Sequence, residues 1–154
     1  MRIQAVKQHK QRLDAVFEKI SALTSDPEMG SHWARYLCVL VSGFLETSVR
    51  SVLQEYVKKR SSDEVARYVE GRLRGFQNPT MQRILDLSGG FNPAWRESLE
   101  STTKGEMKLA VDSIVANRNK IAHGESVEIT YSRVKSYYGN IVALVDLLEE
   151  QCGI

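Results

Sequence analysis

Apolar residues recur along most of the chain at intervals of three and four, the spacing that lays a stripe along one face of an α-helix. The first stripe runs Ile3, Val6, Lys10, Leu13, Phe17, Ile20 and predicts a first helix. Asp26-Pro27-Glu28-Met29-Gly30-Ser31 interrupts it with turn residues, and Ser31 is placed to cap a second helix beginning near His32. That helix carries a broad apolar face about seven turns long, with Trp33, Leu37, Leu40, Phe44, Thr47, Val52 and Leu53 flanked by Tyr36, Val41, Leu45, Val49 and Tyr56. So wide a face implies burial between several helices. Lys58-Lys59-Arg60 marks its end, since cations suit the negative C-terminal end of the helix dipole.

From Ser62 to Lys104 the pattern shortens. Its pieces cover Asp63 to Arg74, Pro79 to Leu87 behind Asn78, and Pro93 to Glu100 behind Asn92. Asn before Pro starts a helix because Asn caps and Pro tolerates the first turn. Gly71, Gly75, Gly89 and Gly90 punctuate these pieces, so 62–104 reads as a helical insertion or lid between two long helices of a single domain, 1–154. After Gly105 another stripe runs Met107, Ala110, Val111, Ile114, Val115, Ile121, Ala122, with Gly124 as its C-terminal cap. Val127-Glu128-Ile129-Thr130, in the linker that follows, has slight strand character but no partner strand. The last stripe, Tyr131, Val134, Tyr138, Ile141, Val145, Leu148, is the seam of a helix bundle. The expectation is all-α: an antiparallel bundle of long helices with a short helical insertion.

Composition adds limits. A chain of 154 residues with 42% hydrophobic content forms one domain. It buries about 68–70% of its unfolded surface and needs no metal or disulfide to hold together. The longest apolar run, Tyr36 to Val41 and then Phe44 and Leu45, falls short of the ~20 residues that cross a bilayer, so no membrane span is expected. The polar-interrupted N-terminus lacks a signal-peptide core, and the expected location is the cytosol. A net charge of +2 permits RNA binding without suggesting it. Cys38 and Cys152 read as reduced thiols rather than a disulfide framework. His9 and His32 have no partners at metal-ligand spacing, and no phosphate loop, serine elbow or zinc motif is present, so neither metal nor cofactor is expected.

One stripe breaks its own rule. After Met107, Val111 and Ile114 the next step before Ile121 is Arg118. A guanidinium on a buried face must be paired, line a cleft or face a partner molecule, because unpaired burial costs several kcal/mol. The surrounding run is Asn117-Arg118-Asn119-Lys120-Ile121-Ala122-His123-Gly124. In one reading, Arg118 pairs with Glu46 or Asp112 as a structural ion pair, and His123 donates to the last carbonyls of its helix. In the other, arginine, amide and histidine supply anion binding, hydrogen-bond orientation and proton transfer near neutral pH, the parts for phosphate-ester chemistry. At ~100° per residue the Arg118 and His123 side chains stand roughly 140° apart, so one straight helix does not aim both at one point. Either the helix bends, or two copies complete a shared cleft.

Two further features invite the same double reading. Glu46, an acid within the apolar second helix, pairs with Arg50 one turn on or holds Arg118 across the helix interface. Lys58-Lys59-Arg60, Arg67, Arg72, Arg74 and Arg83, interleaved with Tyr56, Tyr68 and Phe76, form solvated helix surface or a track for an RNA backbone with stacking rings.

Arg118-Asn119-x-x-x-His123 in the penultimate long helix of a small all-α chain resembles the Arg-Asn-x-x-x-His signature of HEPN domains, and Ala122-His123-Gly124 extends the likeness. Ser42-Gly43-Phe44-Leu45-Glu46 is similar to the aromatic and acidic pattern of the bacterial HEPN subgroup associated with ribosomal L-PSP or MAE type nucleases. The resemblance implies a metal-independent endoribonuclease that works as a homodimer, the motif helices of two protomers lining one cleft. It implies attack of the RNA 2′-hydroxyl on the adjacent phosphate, leaving a 2′,3′-cyclic phosphate and a 5′-hydroxyl end. His123 then acts as general base or acid, Arg118 stabilises charge in the transition state, and Asn119 orients the histidine or the phosphate, with Glu46 and Lys120 in support. It further implies a toxin or antiphage effector restrained by an antitoxin or other regulatory partner. The alternative on the same fold is a non-catalytic module that binds nucleotide or RNA, or that dimerises. In HEPN toxins paired with a nucleotidyltransferase antitoxin, a tyrosine two residues beyond the histidine is the modified group; here Glu125 stands there, so that mode of control is not implied.

Overall fold

A computed structural model describes residues 1–23 and 26–154. Their elements are α1 (Gln4–Leu23), α2 (Pro27–Arg60), α3 (Asp63–Leu73), α4 (Met81–Phe91), α5 (Pro93–Thr102), α6 (Glu106–Ala122) and α7 (Tyr131–Gln151), with no strand among the described residues. The all-α expectation is met.

The organising element is α2, which packs against α1, α3, α6 and α7. It begins earlier than expected, at Pro27 rather than near His32. The Asp26 carboxylate accepts the Glu28 N–H at 3.0 Å, and Pro27 occupies the first turn. The pair taken for a break is itself the start, by the cap-then-proline rule. Its 34 residues are long and apolar enough to cross a membrane by length and composition alone. In the fold, however, Ala34, Leu37, Cys38, Val41, Phe44 and Leu45 are wholly buried against the other helices.

The segment 62–104 places Leu73, Phe76, Met81, Ile84, Leu85 and Leu99 in the same core cluster as α1, α2 and α7. Here α3 starts behind Ser62 and α5 behind Asn92, whose side chain accepts the Ala94 N–H at 3.0 Å. The middle helix departs from expectation. Asn78 takes a φ of 50°, a left-handed conformation asparagine tolerates, and Thr80 caps α4 by accepting the Arg83 N–H at 3.3 Å. Gly89 and Gly90 then lie inside α4 rather than beyond it. A Cβ on Gly89 would come within 3.2 Å of the Arg96 side chain, so this glycine allows α5 its close approach.

On α7, Val134, Tyr138, Ile141, Val145 and Leu148 are buried as the seam requires, and Tyr131 is half-buried. Tyr138 stacks on Phe17 at 4.9 Å and gives its hydroxyl to Asp14 at 2.7 Å. Both cysteines are buried and free; burial pushes the Cys38 thiol up to about 12 and the Cys152 thiol up to about 11.

Candidate active site

The buried residues of α6 are Ala110, Val111, Ile114 and Val115, and the next buried residue along the chain is Val127. Every residue from 116 to 126 is half-buried or exposed. The last two turns of the helix therefore run along the edge of the core, where half-buried Ile121 still packs against it and an arginine can occupy the stripe. Arg118 is half-buried, and its Nη1 donates to Asn119 Oδ1 at 3.2 Å. Among the described residues no carboxylate lies within ion-pair distance of it.

Both expected partners are engaged elsewhere. Glu46 pairs with Arg50 and accepts the Asn78 N–H at 3.2 Å, while Asp112 pairs with Lys108 at 2.6 Å and accepts the Met81 N–H at 2.8 Å. The two carboxylates grip the turn between α3 and α4, so the pairing of Arg118 with Glu46 or Asp112 does not form. Among the described residues Glu46 makes no hydrogen bond or ion pair with the motif, and Lys120 is exposed.

The helix ends within the motif, at Ala122, and His123 is its C-cap. His123 donates its N–H to the Asn119 carbonyl at 3.1 Å, Gly124 to Ile121 at 3.1 Å, and Glu125 to Lys120 at 2.9 Å. With Gly124 at φ 73° this is a Schellman termination, in which a glycine turns left-handed and satisfies the last carbonyls. The His123 backbone closes the helix; its ring is exposed and makes no hydrogen bond among the described residues, so it does not donate to those carbonyls. Gly124→Ala forces an L side chain into that conformation and should destabilise the protein by about 1–2 kcal/mol. Urea unfolding would show a lower midpoint at unchanged slope; an unchanged midpoint would mean that the cap can rearrange freely. Arg118 lies within α6 and His123 caps it, so by ideal helix geometry the two side chains stand roughly 140° apart.

Beside the motif runs the N-terminal third of α2, antiparallel to α6: Cys38 Sγ lies 3.6 Å from the Ile114 carbonyl, and Arg35 Nε donates to Val127 O at 3.3 Å. Arg35 thus ties down the segment that follows the motif. Sequence reasoning passed over it, although a cation inside the apolar run from Trp33 to Val41 was a signal. On the same helix Met29, Tyr36 and Val39 are 49%, 49% and 40% exposed, one above another along a single face.

The basic residues of α3 are elsewhere. Arg67 lines a cleft with Ser51, Gln54 and Lys58 from the C-terminal half of α2, Arg72 bonds the Tyr68 hydroxyl at 3.1 Å, and exposed Arg74 pairs with Glu70. The fold brings Arg118, Asn119 and His123 to one helix end and keeps Glu46, Arg67, Arg72 and Arg74 away from it.

Comparison with known proteins yields one match. The family model described as RiboL-PSP-HEPN covers residues 2–153, whereas no curated protein and no solved structure is matched. HEPN domains often have ribonuclease activity, so the match points to a nuclease or another RNA-related role. Matched along all but its terminal residues, the chain belongs to the RiboL-PSP-HEPN family.

Proposed function

We propose that the protein is a metal-independent endoribonuclease acting in the cytosol as a homodimer, a toxin or antiphage effector held in check by a partner. The observation that carries this reading is Arg118. It is displayed with Asn119 and His123 at the end of α6, on the edge of the core, and among the described residues no carboxylate lies within ion-pair distance of it. A guanidinium so placed is free for a phosphate.

In the reaction the RNA 2′-oxygen forms a bond to the adjacent phosphorus as the bond from phosphorus to the 5′-oxygen breaks. His123 takes the hydroxyl proton or supplies one to the leaving oxygen, and Arg118 stabilises the charge that builds on the non-bridging oxygens. Asn119, through its hydrogen bond to Arg118, orients the guanidinium. Because Arg118 and His123 diverge on one helix, a second protomer completes the cleft, covering the Met29, Tyr36 and Val39 face of α2. A restraining antitoxin or trigger is needed because an unrestrained ribonuclease harms its host.

The test is incubation of wild-type protein with total RNA and a tRNA pool in EDTA, followed by end-group analysis. Cleavage leaving 2′,3′-cyclic phosphate and 5′-hydroxyl ends is expected; ends of the opposite polarity would refute the mechanism. Tyr36→Glu should give a monomer that no longer cleaves, read by light scattering and the same assay, and a fully active monomer would refute the shared cleft. The exposed His123 ring, with no hydrogen-bond partner among the described residues to orient it, favours a second reading, a non-catalytic RNA- or nucleotide-binding module. A folded dimer that binds RNA without cutting it would put that reading first.

A further inference from the structure

Away from the motif, α1 and α2 enclose a cleft of about 300 Å³ whose polar lining is Gln8, His9, Arg12, Thr47, Ser48 and Ser51. Cationic and hydroxyl groups meet there, and no carboxylate lines it. Arg12 has no ion-pair partner among the described residues. His9 is fixed in orientation: its ring stands edge-on to Phe44 at 5.3 Å, and Nδ1 lies 3.1 Å from Thr47 Oγ1. Thr47 sends its own hydroxyl proton back to the Gly43 carbonyl at 2.8 Å. With its proton on a carbonyl, the Thr47 oxygen accepts from His9 in the tautomer that carries the hydrogen on Nδ1, and in that tautomer Nε2 is bare and has no hydrogen-bond partner among the described residues. Beside them Ser48, only 1% exposed, has a hydroxyl with no hydrogen-bond partner among the described residues. A buried orphan hydroxyl is unfavourable unless something satisfies it.

We infer that this cleft is a binding site for a phosphate-type oxyanion, held by Arg12, by Nε2 of His9 and by the Ser48 and Ser51 hydroxyls. The shared chemistry is a tetrahedral anion, carried by a terminal phosphate or by the backbone of a nucleic acid. Nε2 donates a hydrogen bond only when the imidazole is protonated. Burial, and after it the Arg12 charge, holds His9 below its ordinary pKa. The helix opposite, α2, faces the ring with uncharged Phe44 and Thr47, and Tyr138 of α7, which packs on the same Phe44, has its hydroxyl engaged by Asp14. A dianion set between Arg12 and His9 opposes the Arg12 repulsion and favours the imidazolium. Binding therefore takes up a proton and weakens as pH rises.

Sulfate is the first probe, because it keeps its charge across the neutral range and any pH dependence then belongs to the protein. Calorimetry and the His9 imidazole NMR signal should show binding that raises the His9 pKa, with affinity falling by up to about tenfold per pH unit above that pKa. Arg12→Gln should abolish binding, and His9→Gln should remove its pH dependence, each with an unchanged circular dichroism spectrum. Two further probes separate the sources: 5′-AMP, and a DNA oligonucleotide, which has no 2′-hydroxyl to react. Tighter binding of 5′-AMP assigns the site to a terminal phosphate; tighter binding of the oligonucleotide, lost in Arg12→Gln, assigns it to a nucleic-acid backbone. Absence of any sulfate effect on His9, or binding that survives both substitutions, overturns the inference. No cleavage is read, so the result stands apart from the ribonuclease proposal.

Discussion

Replacing His123 with alanine should lower the rate of RNA cleavage by roughly 10²–10⁴-fold, the usual loss when a positioned proton-transfer group is removed. The same substitution should leave unfolding in urea within about 0.5 kcal/mol of the parent, as for surface changes away from structural features. The structure separates the two effects. The His123 ring is exposed and makes no hydrogen bond among the described residues, and the helix termination runs through its backbone N–H and through Gly124, both of which alanine preserves. Arg118→Ala should behave in the same way, inactive and folded. Were Arg118 half of a buried ion pair, its removal would strand a carboxylate at a cost of about 3–5 kcal/mol. Glu46 and Asp112, the acids that would be stranded, already have their own partners. Cleavage at the parental rate in His123→Ala would end the catalytic assignment, and a large stability loss in Arg118→Ala would restore the structural one.

The largest expected effect on folding is that of Phe44→Ala, a loss of about 3–5 kcal/mol. Domains of this kind have only about 5–15 kcal/mol to lose. Phe44 is wholly buried at the middle of α2, its ring packing 5.8 Å from Tyr138 of α7 and 5.3 Å from His9 of α1. Truncation empties the junction of three helices whose own side chains are held: Tyr138 by its bond to Asp14, His9 by Thr47. Neither is free to fill the space, so the cavity persists. Equilibrium urea unfolding measures the loss directly, and a change below about 1 kcal/mol would mean that the three helices close over the gap.

What the sequence by itself determined here is local. Period three and four told which faces of α1, α2, α6 and α7 are buried, because a helix repeats its faces whatever it packs against. Ser62, Asn92 and Gly124 told where helices start and stop, because caps act on backbone groups within a few residues. The misplaced starts of α2 and α4 arose where a second residue able to cap stands a few positions from the expected one: Asp26 caps α2 in place of Ser31, and Thr80 caps α4 in place of Asn78. The motif residues were legible as types at a spacing, Arg118 with Asn119 and His123. Their surroundings were not. Pairing across the fold is a competition among all donors that reach one acceptor. Only the tertiary structure shows that Glu46 goes to Arg50 and Asn78, that Asp112 goes to Lys108 and Met81, and that Arg118 is left to Asn119. The same holds for depth. The stripe on α6 continues in sequence past Val115, but the residues after it are half-buried or exposed, Ile121 touching the core at its edge, so only the packed helices decide that the motif lies at a surface. His9 and Thr47 meet for the same reason, since nothing in two segments 38 residues apart announces that their helices cross.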